Sequence, residues 1–107
     1  MIKTYEPNKA ILTDKEVKEA LSLDYDYTSD RLENLSLEAS QFLYQKTNHD
    51  WSADEKINAT AKGAARDYIY QIWFGSDDHV QTRLDDAIII LQSMVDENGD
   101  LYDDDNA

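Results

Sequence analysis

The chain contains no cysteine, one proline and only three glycines among its 107 residues. Without cysteine, disulfide cross-links, thiolate metal ligands and a cysteine nucleophile are all excluded. So few glycines leave no room for a glycine-rich phosphate-binding loop. No apolar run approaches the roughly 20 residues that a membrane-spanning helix needs, and the opening Met1-Ile2-Lys3 is not the pattern of a secretory signal peptide. We therefore expect no contact with a membrane, and the cytosol is the default compartment.

Positive charge is also scarce, because 10 Lys and Arg stand against 23 Asp and Glu, which gives a net charge of -13. Such a surface repels nucleic-acid phosphates and anionic membranes, which disfavours a protein that reads duplex DNA. A conduit that must let DNA pass without gripping it would also be acidic, so proximity to DNA stays open. The 7 Tyr, 2 Trp and 2 Phe argue against a disordered chain. The length suits one domain with one core.

The stretch 57–73 predicts the helix around which the rest of the chain is organised. Its apolar residues recur at spacings of three and four, so they share one helical face. The small residues at 61–65 let another helix backbone come close, and the aromatic end fills the space between elements. We expect this helix at the centre of a small bundle.

Two shorter patterns precede it. Thr13 is the predicted N-cap of a first helix, with Glu16 completing a capping box, and this helix should end near Leu23. A second, long helix is capped by Thr28 or Ser29 and carries an apolar stripe along its whole length.

The third helix, which contains the 57–73 stretch, is predicted to begin at a second capping box formed by Ser52 and Glu55. It should stop at Gly75, a residue suited to a left-handed position after a helix. The fourth helix is predicted from Arg83 to Gly99, after a polar stretch that is either a loop or a frayed helix start.

The predicted fold is all-α, a small four-helix, bundle-like domain with two long central helices. It covers residues 1–99, begins with an irregular N-terminal arm, and is followed by an acidic tail at 100–107 that we expect to be mobile when the protein is alone. The predicted core residues are Leu32, Leu35, Phe42, Ile57, Ala61, Tyr68, Ile72, Trp73, Leu84, Ile88 and Leu91. Ile89 and Ile90 broaden the apolar face of the last helix, toward a neighbouring subunit.

No group of residues indicates catalysis or metal binding. Two acidic stretches, 24–35 and 96–101, begin like a calcium-binding EF-hand loop but lack the glycine at its sixth position. His49 and His79 each lie beside an aspartate in a predicted loop, with no evident converging partner. Trp51 is interpreted as a core residue, with a projecting contact point as the alternative. We predict no catalytic, metal or cofactor site, and a protein that is not an enzyme.

The residues from 13 to 95 follow an ordered pattern of a capped short helix, an acidic turn, two long helices and a last helix. The segments that define it are LSLD at 21–24, DRL at 30–32, Ala39, TN at 47–48, the alanine-rich turn at 61–65 and the aromatic end at 68–74. In these segments the chain resembles the small head–tail connector (adaptor) proteins of tailed bacteriophages and prophages. It departs from them where Ser52 replaces the proline that often opens the third helix, and at Gly75-Ser76-Asp77, where that helix ends.

The resemblance implies a non-enzymatic ring of about a dozen subunits in the virion, assembled in the host cytoplasm. The ring would lie beneath the portal and extend the DNA exit channel toward the stopper or tail. The implied partners are the portal protein, a stopper, head-completion or tail protein, and further copies of the chain, which in isolation is either a ring or a monomer. DNA would pass through without specific binding, and neither cofactor nor membrane is involved. The candidate portal or subunit contacts are Val95, Asp96, Leu101 and Tyr102, within 95–102. The candidate loop contacts are His49, Asp50 and Trp51, within 48–53.

A second hypothesis is a small acidic helical binding module, such as a DNA-mimicking inhibitor or a regulatory adaptor. It would need carboxylates spaced like phosphates on one face, whereas the acidic residues here are dispersed over several helices and a tail. A ring of such acidic subunits would instead weaken phosphate contacts and let DNA slide. A third hypothesis, a small helical enzyme, finds no supporting constellation of residues.

Overall fold

Four α-helices make up most of residues 9–102, which are the residues that the computed structural model describes. They are α1 (Asp14–Ala20), α2 (Asp30–Thr47), α3 (Ala59–Phe74) and α4 (Asp78–Ser93), with a 3₁₀ turn, Trp51–Ala53, between α2 and α3. No β-strand occurs in this range, although an isolated antiparallel bridge pairs Val95 with Leu101. The predicted all-α, four-helix fold class is confirmed. The outer parts of the predicted arm and tail, 1–8 and 103–107, lie outside the described residues.

The first two helices begin at side chains that bind their free amides. The Thr13 hydroxyl accepts from the Glu16 amide at 3.1 Å, and the Glu16 carboxylate accepts from the Thr13 amide at 2.9 Å. This confirms the first capping box. The Ser29 hydroxyl caps α2, which decides between the two predicted residues. α1 ends at Ala20, three residues before the predicted end at Leu23. Ser22 has a positive φ of 58°, and an α-helix cannot continue through this conformation.

The second predicted capping box is wrong. The amide and the hydroxyl of Ser52 both donate to the Asp50 carboxylate inside the 3₁₀ turn, so Ser52 does not start α3 with Glu55. α3 begins later, where the Asn58 side chain accepts from the Ala61 amide at 3.1 Å. The Asp50 carboxylate, two residues away, binds Ser52 locally, so the capping box that the sequence pattern predicts does not form.

The ends of α4 also differ from the prediction. The helix starts before Arg83 because the Asp77 carboxylate caps it by accepting from the third residue along. It ends before Gly99 because the chain turns back after the helix, which brings Leu101 beside Val95. Residues 100–102 therefore belong to a folded turn, whereas the sequence placed them in the mobile tail.

The hydrophobic core lies where α2, α3 and α4 meet, and α3 and α4 share the most extensive contact. Ala61, Ala64, Ala65 and Ile69 of α3 are completely buried, so the small-residue face does allow close approach of its neighbours. Of the predicted core residues, those that are buried are Leu32, Leu35, Ala61, Leu84, Ile88 and Leu91. Those that are partly buried and pack against this cluster are Phe42, Ile57, Tyr68 and Trp73.

The prediction that Ile72 is a core residue is wrong, because 38% of it is exposed. The apolar face of α3 widens toward its C-terminal end, where Ile69 occupies the buried position. Ile72 is left on the flank of the helix, and it lines a surface groove.

The chain that leads into α1 is held against α2 by two buried serine hydroxyls. The amides of Ile11 and Leu12 donate to Ser40 at 2.8 Å and to Ser36 at 3.0 Å, and these hydroxyls donate back to carbonyls of the same segment. Because Ile11 and Leu12 are themselves buried, this segment is part of the core. We call residues 9–12 the strap.

Candidate functional site

The two predicted contact segments lie side by side in the structure. The predicted segments are 48–53 and 95–102. In the structure they belong to the loop at 48–54, which follows α2 and contains the 3₁₀ turn, and to the turn at 94–102, which follows α4. The contact is closest at Gly99, where an added Cβ would lie 2.0 Å from the carbonyl oxygen of Asn48. Gly99 also has a φ of +85°, so both its conformation and its surroundings require glycine. We call the two segments together the loop–turn surface.

The loop is formed by a left-handed residue followed by a buried tryptophan. Asn48 ends α2 with φ 62° and ψ 21°, a conformation that asparagine tolerates better than most residues. Trp51 is only 1% exposed, and its indole N–H donates to the Thr47 hydroxyl at 2.9 Å. The core interpretation of Trp51 is therefore confirmed, and its inclusion among the outward loop contacts is wrong. His49 and Asp50 remain partly accessible.

His49 joins the loop to the turn. Its Nδ1 lies 2.8 Å from the carbonyl oxygen of Gly99, and its Nε2 lies 3.0 Å from each carboxylate oxygen of Asp54. The ring packs edge-on against Trp51, with 4.6 Å between the ring centroids. The sequence indicates no converging partner for His49, whereas the structure places a hydrogen-bond acceptor on each side of the ring.

The turn has its own hydrogen bonds, and two of its apolar side chains are exposed. One carboxylate oxygen of Asp96 accepts from two amides within the turn, at 2.8 and 3.1 Å. The Tyr102 amide donates to the carbonyl of Met94 at 3.0 Å. Among the predicted portal contacts, Val95 is buried in the core, whereas Leu101 and Tyr102 are 41% and 58% exposed. The last two are thus the ones placed to contact a partner, and that role stays a prediction.

A second candidate surface is a groove of about 580 Å³ between α2, α3 and α4, lined by both apolar and polar side chains. Phe42 and Tyr68 are stacked there with their ring centroids 4.4 Å apart, and the exposed side chains of Ile72 and Ile89 line the groove. Burial raises the pKa of Tyr68, and the negative charge of Glu38 adds to this shift. The tyrosine is therefore neutral at physiological pH and contributes an uncharged, largely apolar surface.

Within residues 9–102, three ion pairs link α3 to its neighbours, and the longest of them joins Arg66 to Glu16 at 3.6 Å. Arg83 on α4 donates from Nε and Nη2 to the two oxygens of Asp67, at 2.9 and 2.6 Å, although Asp67 is almost fully buried. These hydrogen bonds raise the pKa of Arg83. Lys62 donates to the Glu16 carboxylate at 2.8 Å and so connects α3 to α1. The sequence does not indicate the role of Asp67, because nothing near a charged residue in the helix shows that its partner lies on another helix.

No group of three or more His, Asp or Glu residues suited to a metal ion occurs in the part of the chain that the structure describes. In the stretch 96–101, which begins like an EF-hand loop, the first aspartate accepts hydrogen bonds from amides of its own turn. None of the helices found within 9–102 has the length and apolar character needed to cross a membrane. Comparison with family models, with curated proteins and with solved structures gives no match to this chain.

Proposed function

We propose that the chain is a structural subunit of a phage or prophage head–tail connector, forming a ring beneath the portal that extends the DNA exit channel. The observation that carries the proposal is apolar surface left open on α3 and α4. Ile72 and Ile89 line one groove, and Phe74 and Ile90 are exposed on the same two helices. Exposed apolar surface rimmed by polar residues is typical of a protein–protein contact.

A ring needs two different surfaces on each subunit, because the contact between neighbours is head-to-tail. The groove between α2, α3 and α4 is our candidate for one of these surfaces. The loop–turn surface, with Leu101 and Tyr102 exposed where the chain returns past Val95, is our candidate for contact with the portal. The net charge of -13 per subunit supports the proposal further, since a strongly negative ring weakens its contacts with DNA phosphates.

The test is assembly with the portal protein encoded in the same gene cluster, followed by negative-stain electron microscopy. We expect rings of the chain on the portal. The Ile89→Asn variant should lose them, because it places a polar group in the groove. Asp86→Asn is the matched control, an exposed change on the same helix that should leave the rings intact.

Two results would contradict the connector. One is the absence of any complex between the wild-type chain and this portal. The other is a small, stable complex with a basic protein, which is the behaviour expected of an acidic binding module. Rings that persist in Ile89→Asn would remove the groove from the interface but leave the connector itself standing.

A further inference from the structure

The ring of His49 lies between hydrogen-bond acceptors on both sides. On one side the carbonyl oxygen of Gly99 is 2.8 Å from Nδ1, and on the other both oxygens of Asp54 are 3.0 Å from Nε2. A carbonyl oxygen and an ionised carboxylate can only accept hydrogen bonds. A neutral imidazole beside an ionised carboxylate has too few protons to satisfy both contacts. They are satisfied together only when the His49–Asp54 pair holds one additional proton.

We infer that His49 is a proton-operated clasp that holds the C-terminal turn, residues 94–102, against the loop at 48–54. With the extra proton, one ring nitrogen binds the loop through Asp54 and the other binds the turn through Gly99. The inference does not depend on the connector function, since it concerns contacts within one chain.

The loss of that proton breaks one of the two contacts. A neutral imidazole has a single N–H, and a hydrogen bond to a charged carboxylate is stronger than one to a neutral carbonyl. The remaining hydrogen thus stays on the Asp54 side, and Nδ1 turns a lone pair toward the Gly99 oxygen. Two acceptors 2.8 Å apart repel each other, so the turn is released from His49. The clasp is closed at low pH and opens as the pH rises through the titration of the pair.

The other acidic groups of the two segments have separate roles. Asp50 accepts from the amide and hydroxyl of Ser52, and Asp96 accepts from amides of its own turn. Asp100 is exposed. The uncharged indole of Trp51 packs edge-on against the imidazole. Asp54 is therefore the charged partner that is hydrogen-bonded to the ring.

The clasp acts on a contact with little tolerance. Gly99 lies so close to the Asn48 carbonyl that even a methyl group would not fit. The Gly99–Asn48 contact therefore exists only while the turn is docked against the loop.

The experiment is amide hydrogen exchange of the full chain by NMR across the pH range in which imidazoles titrate, roughly pH 5 to 8. The His49 ring is titrated in the same sample. The reporters are the amides of Tyr102 and Asp96, whose bonds to Met94 and Asp100 are internal to the turn, so they exchange when the turn, once released from His49, also unfolds. After correction for intrinsic exchange, their protection should fall roughly two- to tenfold, the ratio that one net hydrogen bond supports. The midpoint should match the titration of His49, while an amide in the middle of α3 should not change.

Two variants distinguish the clasp from ordinary packing. In Asp54→Asn the new side-chain amide can donate to Nε2 of a neutral ring, so Nδ1–H stays on Gly99 and the turn should remain protected at every pH. In His49→Gln nothing titrates at this position, so the protection should be independent of pH. His79→Gln is the matched control, because His79 is exposed on α4, and it should keep the wild-type profile.

Three results would overturn the clasp. These are wild-type protection that stays flat through the His49 titration, a pH-dependent step that survives in His49→Gln, and a turn that is open at all pH values in Asp54→Asn. If His49→Gln does not fold, the wild-type and Asp54→Asn profiles still decide.

Discussion

Alanine at Gly63 and alanine at Gly99 should change the stability of the chain in opposite directions. Gly63 lies inside α3, and beyond its own helix a Cβ at this position would meet no atom within 4 Å. Alanine is favoured over glycine in a helix interior by about 0.8–1.0 kcal/mol, partly because it restricts the unfolded chain. A gain of this size corresponds to a rise of roughly 4–8 °C in the midpoint of thermal unfolding.

At Gly99 the same substitution meets two obstacles. The φ of +85° is unfavourable for an L-residue, at a cost of about 1–2 kcal/mol. The new methyl group would also lie 2.0 Å from the backbone oxygen of Asn48, so the turn has to move away from the loop. Because the turn can separate locally, the overall loss should stay within about 1–3 kcal/mol.

Urea unfolding followed by far-UV circular dichroism measures both changes, with the unfolding midpoints compared at equal m-values. Exchange of the Tyr102 amide adds a local reading, which should change in Gly99→Ala and stay constant in Gly63→Ala. A destabilised Gly63→Ala variant would refute the assignment of Gly63 to open space on α3. A Gly99→Ala variant with wild-type stability and wild-type exchange would refute the docked turn.

Three further substitutions test individual contacts. Glu16→Gln should reduce the dependence of the unfolding free energy on pH in the acid range. Burial alone raises the pKa of Glu16, but its hydrogen bonds, foremost the one from Lys62, hold this pKa below its usual value. The stability that these bonds add is therefore lost as the pH falls through the pKa of the folded state. Urea unfolding at a series of pH values measures this slope, and an unchanged slope would contradict the ion pair. Trp51→Phe should cost about 1–3 kcal/mol in urea unfolding through lost volume in the core, and a cost near zero would contradict its burial. Asp67→Asn should cost only about 1 kcal/mol, because its partner Arg83 is 68% exposed and solvent screens the pair, whereas a much larger loss would mean that the charge is truly desolvated.

The sequence was informative where a helix boundary depends on residues close together in the chain. Thr13 and Glu16 bind each other's amides within one turn, so their pattern alone predicted the start of α1 correctly. Ser52 and Glu55 form the same pattern, yet the prediction failed. Asp50 holds Ser52 in a 3₁₀ turn, and the neighbouring tryptophan is drawn into the core. Burial of a large side chain outweighs the preference of a single cap.

The candidate site was predictable only in part. The resemblance implies the two contact segments separately, and nothing in the sequence indicates that they meet. The bond from His49 goes to a backbone carbonyl 50 residues away, and every residue has such a carbonyl. The position of Gly99 in the sequence predicts the end of a helix. The return of the chain after α4 is not predicted, because it has no local signature. The tight contact of Gly99 with Asn48 depends on tertiary structure.

The strap and the clasp also bear on the order in which the chain folds. α3 and α4 are joined by the short link at 75–77, so their contact closes a small loop and carries a low entropic cost. The strap bond between Ile11 and Ser40 spans 29 residues, and the bond from His49 to Gly99 spans 50. We expect the α3–α4 hairpin to be formed in the folding transition state, and both long-range closures to follow it. Substitutions at Ser40 or His49 should then mainly accelerate unfolding and leave the folding rate almost unchanged.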